Sequence, residues 1–383
     1  MRDWKADVDR NTILHFSVDN IKSFATPERR LFISHGYGHC LPVYAREIYV
    51  RDEQCFDVDW VETFHDRPTE YSVNTAKMSL GVDGISEELL SEYLDHYIDE
   101  GYESFIDQYF EGTPFITEMM MTVYRYYQKE PTPVLRKTLK FLLAYNLTQH
   151  VTYVEGVPPE EGFMGRIYDE TSKFNGKTVA PVMINFSVKI AMAKMWRELQ
   201  KEVLEELSMM YSSVYSKEKL RHWPTIFMVA CILLAVWEEM QFDCHYRIQV
   251  SRHQARSDSE TDPIQDKDEV TKFCNEMESI PVKVVVGLFH AISQKLPSLQ
   301  EWETRKHAST LNSNAAICDA LTEVRQHVTR HGKHPPFQIG MTLPNSSLDQ
   351  YLRSRCDTKF DCTDFDSLSS KFMSKLVIRA PAA

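Results

Sequence analysis

The stretch Trp223-Pro224-Thr225-Ile226-Phe227-Met228-Val229-Ala230-Cys231-Ile232-Leu233-Leu234-Ala235-Val236-Trp237-Glu238-Glu239-Met240 decides the fold class. Trp223-Pro224 opens it as a helix opens, because proline at the first helical position lacks only an N–H that would have no intrahelical partner. From Ile226 to Trp237 every residue is apolar. A helix apolar on all sides is a central one, covered on most faces. The run is shorter than the roughly 20 residues a bilayer requires, so it reads as a core helix. Glu238, Glu239, Gln241 and Asp243 follow and are expected to return the helix to water.

Helical periodicity extends in both directions. Val188, Met192, Met195, Trp196, Leu199, Val203 and Leu207 share one face, with Arg197, Glu198, Lys201, Glu205 and Glu206 opposite or flanking. Further upstream, Ser86 is a cap, Glu87 and Glu88 suit a first turn, and Leu90, Tyr93, Leu94, Tyr97 and Ile98 form a stripe. Gly101 is expected to end or bend that helix. Thr113-Pro114 starts another, carrying Ile116, Met119, Met120, Val123, Tyr124 and Tyr127, and Leu135, Leu139, Leu142 and Leu143 define the next. Downstream, helices are expected near 267–279, 282–295 and 313–330, the last with Ile317, Leu321, Val324 and Val328 buried. Leu368, Phe372, Leu376 and Ile378 suggest a short closing helix. Residues 251–268 are polar without an apolar period and read as a mobile loop. Residues 151–180, rich in glycine and proline, read as a loop where the helical part can subdivide.

The first 80 residues differ. Leu31-Phe32-Ile33-Ser34 is strand-like, His35-Gly36-Tyr37-Gly38 supplies turn chemistry, and Leu41 to Val50 is rich in β-branched and aromatic residues. The expected fold is mainly α: a multi-helix orthogonal bundle with a small N-terminal β-rich segment. The expected organisation is an N-terminal segment with a β-hairpin over 1–80 and a helical domain over 81–383.

Composition narrows the function classes. Only 13 glycines in 383 residues are few for a barrel, sandwich or Rossmann fold. A net charge of −12 repels phosphate backbones, so direct nucleic-acid binding is not expected, and the basic run Lys217, Lys219, Arg221, His222 reads as a solvated face. The eight cysteines include no C-x-x-C pair, which suits a reducing, intracellular setting, nuclear or cytoplasmic. The N-terminus has no apolar stretch of a signal peptide, and no membrane association is expected. The sequons at Asn146, Asn185 and Asn345 are then chance matches.

No catalytic, cofactor or metal motif stands complete. His35, His39 and Cys40 offer zinc-type donors on a Gly-rich turn without a fourth ligand, and read as turn residues. Glu239 and Asp243 share a helix face near Glu238, Cys244 and His245, but a di-iron site needs Glu-x-x-His on two helices. The match that stands out, Glu62-Thr63-Phe64-His65, lies in the β-rich segment. Gly176-Lys177-Thr178 imitates the tail of a P-loop, yet Thr171 stands where its leading glycine belongs. Metal and cofactor are therefore both expected to be absent. If an apolar ligand is held, Trp196, Phe227 and Trp237 are the residues to line its pocket, with Glu239 near the mouth.

The run from Trp223 to Met240 resembles the tryptophan, phenylalanine, apolar run, glutamate pattern in the C-terminal regions of fungal Zn2Cys6 transcription factors. Trp196-Arg197-Glu198-Leu199, the segment Leu31 to Val50, and Asp364-Phe365-Asp366-Ser367-Leu368 through Leu376 are similar to the same regions. The zinc cluster that defines that family needs six cysteines with two C-x-x-C pairs, which this chain lacks. The resemblance implies a helical regulatory or effector region acting through protein partners, a homodimer or an apolar small molecule among its options. The alternative reading is a helical enzyme acting on a terpenoid-like or polyketide-like molecule.

Overall fold

Strand and helix caps fall where local chemistry places them. The structure, a computed structural model, describes residues 21–51, 56–62, 69–81, 83–108, 110, 112–158, 161–213, 220–254, 263–312, 314–331, 350–361 and 370–379. The strands are β1 Ile21–Phe24, β2 Arg29–Ser34, β3 Leu41–Val50, β4 Asp57–Glu62, β5 Thr69–Asn74, β6 Met78–Leu80, β7 Tyr153–Glu155 and β8 Thr178–Val179. The main helices are α1 Glu87–His96, α2 Tyr102–Gln108, α3 Pro114–Lys129, α4 Pro133–Leu147, α5 Val182–Ser213, α6 Trp223–Gln254, α7 Pro263–Met277, α8 Lys283–Ile292, α9 Thr304–His307, α10 Ala315–His331, α11 Gln350–Cys356 and α12 Lys371–Val377. The chain is mainly α with an antiparallel β part near its N-terminus, as its patterning implies.

Two compact units divide the chain, one from residues 1–109 and 143–198, the other from 110–142 and 199–383. In the first unit β1-β3-β2-β7-β8 run in that order, β6 also pairs with β3, and β4 and β5 form a separate ribbon. The expected hairpin is present, with Arg29 opposite Ala45 and Ile33 opposite Leu41. Leu41, Val43 and Ala45 are buried, and the buried side switches parity at Ile48; β3 pairs with β2 up to Ala45, with β6 over Ala45–Glu47 and with β1 over Ile48–Val50. Ser86 caps α1 by accepting the N–H of Leu89, and Leu90, Tyr93, Leu94, Tyr97 and Ile98 are all buried. Gly101 does not end this helix: a π turn over Tyr97–Gly101 carries it into α2. Two of the sequons are structural, since Asn146 and Asn185 are both buried and the Asn185 side-chain oxygen accepts from the Thr152 N–H (3.1 Å) and hydroxyl (2.9 Å).

In the second unit α6 is the centre. Its residues from Ile226 to Trp237 are no more than 2% exposed. Trp223–Cys244 is long and apolar enough by composition to cross a bilayer, but 94% of its most apolar window is buried inside the protein, which makes it a core helix. Trp223 stacks on Phe227 at 5.6 Å, both contact Phe289 of α8 at 5.5 Å, and the Trp223 indole donates to Ser293 Oγ at 2.8 Å. Thr113 caps α3, as its position before Pro114 implies. Helix α3 packs along α10 through buried Met119, Met120 and Val123 and buried Ile317, Leu321 and Val324. Rim pairs such as Arg125–Glu323 (2.6 Å) and Lys129–Asp319 (2.8 Å) add about 0–1 kcal/mol each, so the apolar contact dominates.

The end of the central helix corrects the sequence reading. Glu238, Glu239 and Gln241 do not return it to water: they are 1%, 5% and 0% exposed. The helix runs on to Gln254, and α12, more than a hundred residues later, packs against it. Where the sequence suggests a loop over 251–268, residues 251–254 complete α6 and 263–268 begin α7 at Pro263, while 255–262 lie outside the described residues.

Candidate functional site

Three arrangements could carry function, each within one unit. In the first unit, the Gly-rich turn lies on helix α1. His35 is fully buried with Nδ1 2.8 Å from the Tyr93 hydroxyl. Burial, reinforced by the Lys189 charge, pushes the His35 imidazole down to about 3, so it is neutral at physiological pH. One turn along, the Tyr97 hydroxyl donates to the Tyr37 carbonyl (2.7 Å), and the two rings meet edge to face at 5.1 Å. Burial pushes Tyr97 up to about 12, so it stays a donor. On the other side the Lys177 ammonium donates to the Gly36 carbonyl at 2.7 Å. Residues 35, 37 and 39 thus step along the helix, and the third step brings His39 Nε2 to 2.8 Å from Glu100 Oε2, with the His39 and His96 rings 4.1 Å apart. One donor atom from each of His39, His96 and Glu100 lies within 4.8 Å of the others.

Gly38 fixes this loop. Its φ of +69° belongs to the left-handed region, and a Cβ there would meet the Tyr97 ring at 3.3 Å. Gly38→Ala is expected to lower stability by about 1–2 kcal/mol. Urea denaturation checks this: an unchanged midpoint would mean the loop relaxes without cost.

In the second unit, the segment 370–379 is inserted among helices. Phe372, Met373, Leu376, Val377 and Ile378 are buried, and Lys371 is 0% exposed. Glu238 Oε2 accepts the Phe372 N–H (3.1 Å) at the start of α12, while Glu238 Oε1 has no hydrogen-bond partner among the described residues. Burial raises Glu238 to about 8, against the opposing pull of the α12 backbone N–H groups. Glu278, in a π turn between α7 and α8, accepts from Lys371 and from Lys375 (2.6 Å). Burial would raise Glu278, but its two lysines outweigh burial and hold it low. His290 Nε2 is 2.8 Å from the Lys375 carbonyl, Arg379 donates to the Ser293 and Leu296 carbonyls, and the Ser370 and Thr113 hydroxyls share a hydrogen bond at 2.6 Å.

Also in the second unit, Ile280, Val284 and Leu288 are 62%, 53% and 40% exposed, four residues apart along the helix that joins the π turn to α8. Gly287 and Ala291 are exposed on the same helix, and a Cβ at Gly287 would meet nothing within 4 Å among the described residues. Sequence reading missed this face because its apolar residues look like core; the signal was a helix apolar on two opposite sides, with Val285 and Phe289 on the buried one.

The residues expected to line a pocket are all buried. Trp196 belongs to the first unit, where it meets Tyr145 edge to face at 5.4 Å. Phe227, Trp237 and Glu239 lie on α6 in the second unit, and Phe227 and Trp237 are separated by about 15 Å along the axis at 1.5 Å per residue. Clefts of about 350 and 320 Å³ occur in the first unit, sharing Val73, Arg166 and Tyr168 and including none of these residues. Glu62 is buried and accepts from Ser172 Oγ (2.5 Å) and the Lys173 N–H (3.1 Å), whereas His65, Lys217 and Lys219 lie outside the described residues. Cys40 is not among the three clustered donors, and six cysteines among the described residues are free thiols. Sequence reading singled out His39 but missed His96 and Glu100, whose i, i+4 spacing on a helix was the available signal.

Comparison with known proteins gives a family. A family model described as KpeA transcription factor matches residues 1–376. The chain is 56% identical over 382 residues to the transcription factor kpeA of Aspergillus oryzae (strain ATCC 42149 / RIB 40). The alignment covers 99% of this chain and 46% of that protein, so the chain spans about half the length of this relative. No solved structure matches.

Proposed function

Because the chain belongs to the KpeA transcription factor family, we propose that it is a regulatory region of a fungal, nuclear transcription factor that acts by binding other proteins. The observation that carries the binding part of this reading is the open apolar face of Ile280, Val284 and Leu288. Apolar residues recurring every fourth position on an exposed helix form a stripe that a partner helix can cover, and contiguous exposed apolar surface marks interaction sites. The resemblance of Trp223 to Met240 to zinc-cluster regulators supports the same role. With no C-x-x-C pair and a net charge of −12, the reading assigns DNA contact to other parts of such a factor.

The test fuses this chain to an unrelated DNA-binding domain and reads a reporter gene in yeast. The expected result is clear activation or repression relative to the DNA-binding domain alone. A folded, nuclear fusion that leaves the reporter unchanged contradicts the proposal.

A further inference from the structure

We propose that His39, His96 and Glu100 form a binding site for a divalent transition-metal ion, zinc being the best fit, which ties the Gly-rich turn to helix α1. The three donors come from two elements, and His39 is 61 residues from Glu100 in sequence. Two imidazoles and a carboxylate are a complete three-ligand zinc set, with water taking the fourth position. Imidazole and carboxylate together favour zinc and its neighbours over magnesium or calcium, which prefer oxygen alone.

The geometry needs little adjustment. With metal–ligand bonds of about 2.0–2.1 Å, tetrahedral donors sit roughly 3.3 Å apart. The three donor atoms already lie within 4.8 Å of one another, and His39 Nε2 and Glu100 Oε2 are at 2.8 Å. The His39 and Glu100 side chains are 44% and 67% exposed, so shifts of this size cost no core contact. His96 and Glu100 are one turn apart on the helix and present to the same side.

The scaffold under these ligands is anchored at three points. The loop is held by the Tyr97 hydroxyl on the Tyr37 carbonyl, by Lys177 on the Gly36 carbonyl, and by the left-handed Gly38 against the Tyr97 ring. Such anchoring lowers the ordering cost that a flexible site would meet on binding. Glu100 sits within the π turn Tyr97–Gly101, a helical irregularity that recurs at functional sites. Because the ion bridges loop and helix, its binding stabilises the folded chain in proportion to its concentration over Kd. The site does not depend on the partner-binding reading and would stand if that reading fell.

The test uses the full chain, stripped with a chelator and titrated with Zn²⁺ against a competing zinc indicator. Wild type is expected to bind one ion, and His39→Asn, His96→Asn and Glu100→Gln each to weaken it by at least the roughly 10–100-fold that loss of even an outer-shell partner costs. Cys40→Ser is expected to leave affinity unchanged, and Co²⁺ in the site to show a tetrahedral spectrum without a thiolate charge-transfer band. Zn²⁺ is expected to raise the unfolding temperature of wild type alone, and the metal-free variants to unfold where metal-free wild type does, which separates lost binding from lost folding. Wild-type affinity in all three variants, a thiolate band, or no zinc uptake by wild type would each overturn the site.

Discussion

Glu278→Ala is expected to destabilise the second unit by about 3–5 kcal/mol, and Lys371→Met to cost far less. The asymmetry follows from burial. Lys371 is 0% exposed and its ammonium is held by Glu278, whose side chain keeps 24% exposure and a second cation, Lys375, at 2.6 Å. Removing the carboxylate leaves a buried ammonium without its counter-charge, and the segment 370–379 must shift to solvate it. Removing the ammonium instead leaves Glu278 with water and Lys375, and methionine fills a similar volume. Denaturant unfolding of the two variants and their combination measures the difference. If Glu278→Ala costs no more than Lys371→Met, the pair does not hold the segment in place.

Glu238 gives the second large effect, with a definite sign. Its folded-state value is raised to about 8 by burial, above the ordinary carboxylate range. Between about pH 4.5 and 8 the folded chain therefore keeps a proton that the unfolded chain releases. Stability contributed by this group is full at the acid end and falls by about 1.4 kcal/mol per pH unit up to about pH 8, a loss of a few kcal/mol. Oε1, without a hydrogen-bond partner among the described residues, is the natural seat of the proton, with Oε2 committed to the Phe372 N–H. Glu278 works in the opposite sense: its lowered value gives stability above the carboxylate range that is lost in acid. Glu238→Gln cannot ionise and keeps a carbonyl for the α12 N–H. The variant is expected to flatten stability between pH 5 and 8 and to exceed wild type at pH 8. Parallel wild-type and variant profiles from urea titrations would contradict the assignment.

These two carboxylates show why part of the molecule was legible in sequence and part was not. Helix starts at Ser86 and Thr113, the stripe Leu90 to Ile98 and the β2–β3 hairpin rest on residues within a few positions of one another, and the structure has them. Glu238 looked solvated because nothing local covers it; its cover, Phe372, is 134 residues away. The same distance problem hid the cluster of His39 with His96 and Glu100, because a turn and a helix meet only in the fold. Of the two outcomes expected at Gly101, an end or a bend, the end does not occur: glycine lowers helix propensity, but a buried site packed against Tyr97 can keep it helical. Helix α7 stands where a helix is expected near 267–279, but its first turn falls inside the expected loop over 251–268, because those polar residues give no apolar period, although Pro263 at the first position is a start signal. The open face of Ile280, Val284 and Leu288 could not be told from core by residue type alone, since exposure is a property of the packed chain.

The most direct measurement of the regulatory reading compares the reporter fusion carrying the wild-type chain with one carrying Val284→Asp and Leu288→Asp. Both positions are exposed, so the double variant is expected to unfold within about 1 kcal/mol of wild type. The reporter response is expected to be abolished while stability and nuclear level are retained. A double variant that regulates the reporter as strongly as wild type would contradict the claim that this chain acts through that face.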